Sequence, residues 1–231
     1  MKVPRSRRRG KSRIFQVNPG EFKVRIIKNE NPMTGRIVDL IDDPYRTAPI
    51  EKIKFEDGSI SYLPAFNGAY VGMNVSYLNG SDSIGSIERL KDIPVGSTVY
   101  NIELRPNDGG KLIRAGGETA RIVEKSGGKV SIQLPSSKIV YLDENCRAVI
   151  GTIANAGRRD KPFYKAGNKY HAMKARGRYW PLTAAVAMNA YEHKFGGKRR
   201  STQHKSKSVS RNAPPGAKVG SIAPRRTGMK R

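Results

Sequence analysis

The sequence predicts an all-β body carried between two basic arms, and three observations lead there. Short apolar–polar alternations broken by Gly-bearing turns fill the middle of the 231-residue chain. No amphipathic helix of about 10 or more residues shows itself among them. The charge is the third observation: Lys plus Arg exceed Asp plus Glu by 44 to 19, and the excess lies outside this middle. Residues 1–13 contribute +7, residues 14–157 sum to zero, and residues 158–231 contribute +18. Like-charged blocks repel, resist packing and order on a polyanion. A neutral body with two cationic arms therefore points to nucleic acid as the partner.

In chain order, the first signal of the body is a strand over Gly35–Ile41. In "PIEKIKFEDGSISYLP", Ile53 and Phe55 alternate with Lys52, Lys54 and Glu56, and Ile60 and Tyr62 alternate with Ser59 and Ser61. The Asp57-Gly58 pair between them is a hairpin signal, because Gly takes positive φ without steric cost. A short strand follows at Val75–Leu78, and "KDIPVGSTVY" divides the body with a Pro-Val-Gly turn before a strand at Thr98–Leu104. "ARIVEKSGGKVSIQLP" repeats the hairpin grammar, turning at Ser126-Gly127-Gly128. Strands at Lys138–Leu142 and Val149–Ile153 close the body. Two halves of about 60 residues each have the size of an OB-fold or an SH3-like barrel, with a single sandwich of about 120 residues as the alternative.

Past Asn155 the pattern changes. "AGRRDKPFYKAGNKYHAMKARGRYWP" interleaves cations with Phe163, Tyr164, Tyr170, His171, Tyr179 and Trp180 and has no sustained apolar period. Cations neutralise phosphates, and aromatic faces stack on unpaired bases. Trp180 can equally pack against the second barrel. "PLTAAVAMNAY" is the segment expected to form two or three helical turns. From Gly196 onward the chain is Ser-, Pro-, Gly- and cation-rich and cannot bury enough apolar surface to fold alone. Both arms are expected to be extended, with few contacts inside the protein.

Several functions are excluded or weakened. No run of about 18 apolar residues suggests a membrane helix. The start, MKVPRSRRRG, lacks the apolar segment of a signal peptide. One cysteine, Cys146, rules out an intrachain disulfide and suits a reducing cytosol. Cys146 and the separated His171, His193 and His204 make no zinc-ligand spacing. The pairs Gly109-Gly110, Gly116-Gly117, Gly127-Gly128 and Gly196-Gly197 match no phosphate-loop fingerprint. The sequons at Asn74 and Asn79 are read as chance. Glu192-His193, with Ser201 or Ser210 as nucleophile, is the one enzymatic temptation. Catalysis needs a rigid supporting shell, and this pair stands where evidence for a core is least. No enzyme and no cofactor are expected; Mg²⁺ would be an ion of the RNA rather than of the chain.

The stretches "NIELRPNDGGKLIRAGG", "CRAVIGTIANAG", "DKPFYKAGNKYHAMKARG", "VAMNAYEHKFGG" and "SVSRNAPPGAKVGSIAPRRTG" together closely resemble the universal second protein of the large ribosomal subunit, in its archaeal/eukaryotic-like branch. The resemblance covers nearly the whole chain. It implies a basic extension over 1–30, an OB-fold over 31–90, an SH3-like barrel over 91–157, and an rRNA-penetrating extension over 158–231. It also implies a place near the peptidyl-transferase centre and near the bridge to the small subunit. The implied partners are large-subunit rRNA, neighbouring large-subunit proteins and a small-subunit contact, with no membrane and no small-molecule substrate. The family's central histidine falls on His193, its glycines on Gly196 and Gly197, and Met188 and Asn189 keep their places. The sequence departs from the family at Tyr191, Glu192 and Lys194, and at Thr183-Ala184-Ala185. The other residues expected on rRNA are Arg5, Arg7, Arg8 and Arg9 in the first arm. In the second arm they are Arg158, Arg159, Lys161, Lys165, Lys169, Tyr170, His171, Lys174, Arg176, Arg178 and Trp180. Arg199, Arg200, Lys205, Lys207, Arg211, Arg225 and Arg226 complete the expected set.

Overall fold

Alternation becomes strand throughout the middle of the chain. The structure, a computed structural model, describes residues 12–18, 20–197, 206–214 and 217–225. Strands β1 (Met33–Ile41), β2 (Ile50–Phe55), β3 (Ile60–Pro64), β4 (Asn74–Tyr77) and β5 (Ile87–Arg89) come first. β6 (Thr98–Tyr100), β7 (Ala120–Ser126), β8 (Lys129–Gln133), β9 (Ile139–Asp143) and β10 (Arg147–Ile150) follow. They form one sheet in the order β3-β2-β1-β4-β5-β10-β6-β7-β8-β9. Its pairings are antiparallel except β4 with β5, which meet in parallel at Tyr77 and Ile87.

Both predicted hairpins are present. At the first turn Gly58 takes φ +80°, and Asp57 Oδ1 accepts the Ser59 N–H at 2.9 Å. At the second, Gly127 and Gly128 both take positive φ, the backbone that a two-residue turn matched to strand twist demands. Three strands differ from expectation. β6 stops at Tyr100 because Asn101 turns to φ 47°; Ile102 then makes an isolated bridge to Leu112. The last strand spans Arg147–Ile150 rather than Val149–Ile153. β5 carries too short an alternation to stand out in the sequence.

Two apolar cores result, as two barrels require. One holds Ile26, Ile37, Ile53, Phe55, Phe66, Val75, Tyr77 and Ile87, joined by Tyr100, Val149 and Ile153. The other holds Leu90, Ile93, Val99, Ile102, Ile122, Val130, Ile132 and Cys146, with Ala148 and Ile150. Successive strand residues face opposite ways, so β10 sends Val149 into the first core and its two neighbours into the second. β6 likewise divides Val99 from Tyr100. One compact unit takes in Pro19–Phe163, with Val24 and Ile26 buried. Residues 20–30, expected in the N-terminal extension, thus lie on the body because they supply core side chains.

A buried ion pair holds the junction. Arg147 and Glu103 are 3% and 0% exposed and meet at 2.7 Å. Glu103 also accepts the N–H groups of Gly109 and Arg147 at 2.9 and 3.0 Å. Arg147 reaches the first barrel, donating to the Tyr77 hydroxyl and to Ile27 O. Four of the five guanidinium N–H groups thus have partners, the condition under which a buried charge is tolerated. Burial foremost, with Glu103, Asp143 and Asp108 adding to it, pushes the Cys146 thiol up to about 12; the residue is a small apolar core group, not a nucleophile.

Candidate nucleic-acid interface

The second unit comprises Met1–Asn18 and Tyr164–Arg231. The described Ser12–Asn18 groups with the chain after Tyr164. The one α-helix among the unit's described residues, α1 (Ala166–Ala175), buries none of its residues. A helix polar all round gains nothing from an apolar core and must be held by other means.

Propensity and a stop signal explain α1. Ala, Lys and Met favour helix, and Gly177 ends it at φ +59°. Gly177 N–H donates to Lys174 O and Arg178 N–H to Met173 O, at 3.0 and 2.9 Å. That pair of bonds is a Schellman cap. Apolar periodicity cannot find such a helix; "MKARGR", with Gly just past the last helix former, is its readable signal. The expected helix over "PLTAAVAMNAY" is corrected to a single 3₁₀ turn at Ala185–Ala187. β-branched Thr183 and Val186 weaken it, and the residues around that turn bury little.

The cations and aromatics are displayed on α1 and the turn after it. Tyr170 is 45% exposed, and Tyr170 and Lys174 are four residues apart, on one helix face. Tyr170 and His171 rings meet edge-on at 5.5 Å. Lys169 Nζ stands 5.4 Å from the Trp180 ring centre, a cation–π contact that presets both groups. Lys165, Arg176 and Arg178 are exposed. Arg158 and Arg159 are partly committed within the body: Arg158 donates to Gly116 O, and Arg159 pairs with Glu118, each at 3.0 Å.

His193 sits in a loop that closes on itself. The N–H groups of Glu192 and His193 donate to Asn189 O at 3.0 and 3.2 Å, and Gly197 N–H reaches Met188 O at 3.2 Å. A Cβ on Gly196 would run into the carbonyl oxygens of Met188 and Asn189, so this glycine serves the loop's own closure. Gly197, at φ +137°, meets nothing. The Glu192 carboxylate accepts Asn189 N–H at 3.3 Å, and half-buried His193 accepts Phe195 N–H on Nδ1 at 3.1 Å. A neutral His193 therefore carries its proton on Nε2. A dyad would need Nδ1–H donating to a carboxylate, and here Nδ1 is an acceptor. The pair is built as a turn, not as a base and its orienter.

After the loop, β11 (Ser208–Val209) and β12 (Ser221–Ile222) pair in parallel, so the described tail keeps some regular backbone where none was expected. Lys207, Arg211 and Arg225 are exposed, and Ser210 Oγ accepts Asn212 N–H at 3.2 Å. Arg5, Arg7, Arg8, Arg9, Arg199, Arg200, Ser201, Lys205 and Arg226 lie outside the described residues. Among the described residues, no three His, Cys, Asp or Glu side chains converge as metal ligands.

Paired small barrels with a cation- and aromatic-rich segment that buries almost nothing define an RNA-binding protein of the barrel type. Residues 6–77 match the family "Ribosomal Proteins L2, RNA binding N-terminal domain", and residues 83–217 match "Ribosomal Proteins L2, C-terminal domain". The chain belongs to the ribosomal protein L2 family. Among its relatives is the "Large ribosomal subunit protein uL2" of Archaeoglobus fulgidus, 47% identical over 86% of this chain and 84% of the relative. That of Nanoarchaeum equitans is 49% identical over 84% and 82%. That of Methanocaldococcus jannaschii is 43% identical over 99% and 92%. The branch is archaeal.

Proposed function

We propose that this chain is a structural constituent of the large ribosomal subunit that binds large-subunit rRNA. The single observation that carries the reading is the division of labour: both apolar cores lie in the neutral body, while residues 158–231 hold +18 and a helix with no buried residue. Such a segment is stabilised by phosphates it neutralises rather than by burial. The names of the archaeal relatives supply the subunit. The family is a structural one, so the chain's contribution is to hold RNA rather than to turn over a substrate. Among the described residues no helix is long and apolar enough to cross a membrane.

Within this reading, residues 158–231 enter the rRNA near the peptidyl-transferase centre. The His193 loop is its contact there, and the barrels support assembly and the approach of the small subunit. Lys165, Lys169, Lys174, Arg176 and Arg178 meet phosphates; Tyr170 and His171 offer faces to bases. His193 presents Nε2–H to a phosphate or base edge. Neighbouring large-subunit proteins and a small-subunit contact complete the partners.

Gradient sedimentation of tagged chain in an archaeal extract is the direct test: it should travel with the large subunit through a high-salt wash. A second reading, a general nucleic-acid condenser, rests on charge alone and predicts equal competition by duplex DNA and rRNA. Structured rRNA should compete at least about tenfold better, as expected where shape and single-stranded bases are read as well as charge.

A further inference from the structure

We propose that a cleft at the barrel junction takes one unstacked guanine base of the bound RNA, an inference that rests on the rRNA-binding reading above. The cleft measures ≈ 170 Å³ and opens between the end of β4 and the loops after β6 and before β10. Leu78 and Pro106 give it two apolar walls. Leu78 is held at φ 54°, a backbone that bulky side chains rarely adopt, and its N–H donates to Ile87 O at 2.9 Å. The strain keeps an apolar side chain at the cleft, where a flat ring could lie against it.

Around those walls stand polar groups with nothing to bind. The side chains of Arg89, Asn107 and Glu30 have no hydrogen-bond or ion-pair partner among the described residues. Arg89 lies directly opposite Arg147 in the β5–β10 register. Like charges so placed destabilise a sheet. Glu103 neutralises Arg147, whereas Arg89 is left for something else. Arg147, 3% exposed, also lines the cleft.

The chemistry of this set selects a base. A phosphate would be drawn by Arg89 but repelled by Glu30, and a purely apolar ligand would strand three polar groups. A base with acceptors toward Arg89 and donors toward Glu30 satisfies both. Guanine presents paired acceptors, O6 and N7, which an arginine binds bidentately. On the adjacent edge it presents paired donors, N1–H and N2–H₂, for a carboxylate. Adenine would set its amino group against Arg89, and cytosine and uracil offer one donor position where guanine offers two.

The test is kethoxal modification of large-subunit rRNA, alone and bound to the full-length chain, because kethoxal reacts with the guanine N1/N2 edge that Glu30 would cover. One unpaired guanine should be protected by the native chain. It should regain reactivity roughly tenfold with Arg89→Ala, and also with Glu30→Gln, which alters an exposed side chain and leaves the fold alone. The basic arms should still hold both variants on the RNA. A complex that forms but contains no guanine whose reactivity depends on Arg89 or Glu30 overturns the guanine site and leaves the rRNA reading standing. The same holds if dimethyl sulfate shows an adenine responding instead. Failure of the native chain to bind the rRNA removes both.

Discussion

The unit Pro19–Phe163 and the chain from Tyr164 onward solve the same problem in opposite ways. The first neutralises its charge internally: Arg147 meets Glu103, Arg46 meets Asp43 at 3.2 Å, and Lys111 meets Asp108 at 3.3 Å. It then stands on apolar side chains at or near zero exposure. The second has a single acid, Glu192, to answer its many cations. Phe195 is its one buried large apolar residue among those described. Order in the first comes from burial, at about 25 cal/mol per Å² of apolar surface. In the second, order must come from outside. A chain that is half self-sufficient and half dependent is suited to a partner that supplies counter-charge and shape together.

The largest break in that comparison comes from removing the cations. Deleting residues 158–231 should cost rRNA affinity by about 10³ or more near physiological salt, and should flatten log K against log[salt]. Each phosphate that is no longer neutralised takes about 0.7–0.9 from the slope. Deleting residues 1–13, with +7 rather than +18, should flatten it less. Filter binding across a salt series checks this, and equal slopes would show that charge count does not govern binding.

Next in size is a change inside the body. Arg147→Ala leaves Glu103 charged and unpaired at 0% exposure, a loss of about 3–5 kcal/mol. Urea unfolding followed on the body should show it, whereas Lys169→Ala in the second unit should leave the same transition in place. If both moved it alike, the two regions would not be independent in stability.

Smaller, and dependent on pH, is Glu51→Gln. Burial, partly opposed by the Phe66 N–H, pushes the Glu51 carboxyl well above its ordinary value, so the folded state holds this proton more tightly than the unfolded chain. The contribution of Glu51 is therefore fully present below about pH 4.3 and is lost as pH rises toward the folded value. Glutamine carries no such proton. The variant should be more stable than the native chain by about 1–2 kcal/mol at neutral pH and should lose that part of the pH dependence. Thermal melts at pH 4.5 and 7.5 distinguish the two. Equal gaps at both pH values would argue that Glu51 does not titrate in this way.

The smallest effect is expected at the residue that looks most catalytic. Gln at position 193 can accept from Phe195 N–H through its carbonyl and donate through its amide, as His193 does through Nδ1 and Nε2. His193→Gln in assembled large subunits should leave the rate and pH profile of peptide-bond formation nearly unchanged. Collapse of the rate with assembly intact would return the histidine to the mechanism.

Some of this is legible from residues alone. Both hairpins, the charge division and the absence of a core in the second arm are local properties, because turn glycines, period-two alternation and like-charge repulsion act between near neighbours in the chain. Tertiary structure decided what those elements did with one another. Alternation says that β10 has two faces but not that they serve two cores, nor that Arg147 crosses to Tyr77, because such pairings depend on which strands meet. Helix α1 escapes a search for apolar periodicity because it has no apolar face. Gly196 stands in the sequence only as one of the family's glycines, yet the carbonyls of Met188 and Asn189 leave no room for a Cβ there. The cleft is invisible in the sequence for the same reason as the Arg147–Glu103 pair: positions 30, 78, 89, 106 and 147 become neighbours only when the barrels close. Local chemistry set the elements, their turns and where charge could accumulate; long-range packing alone chose partners, since side chains far apart in sequence have no energy in common until the fold brings them into contact.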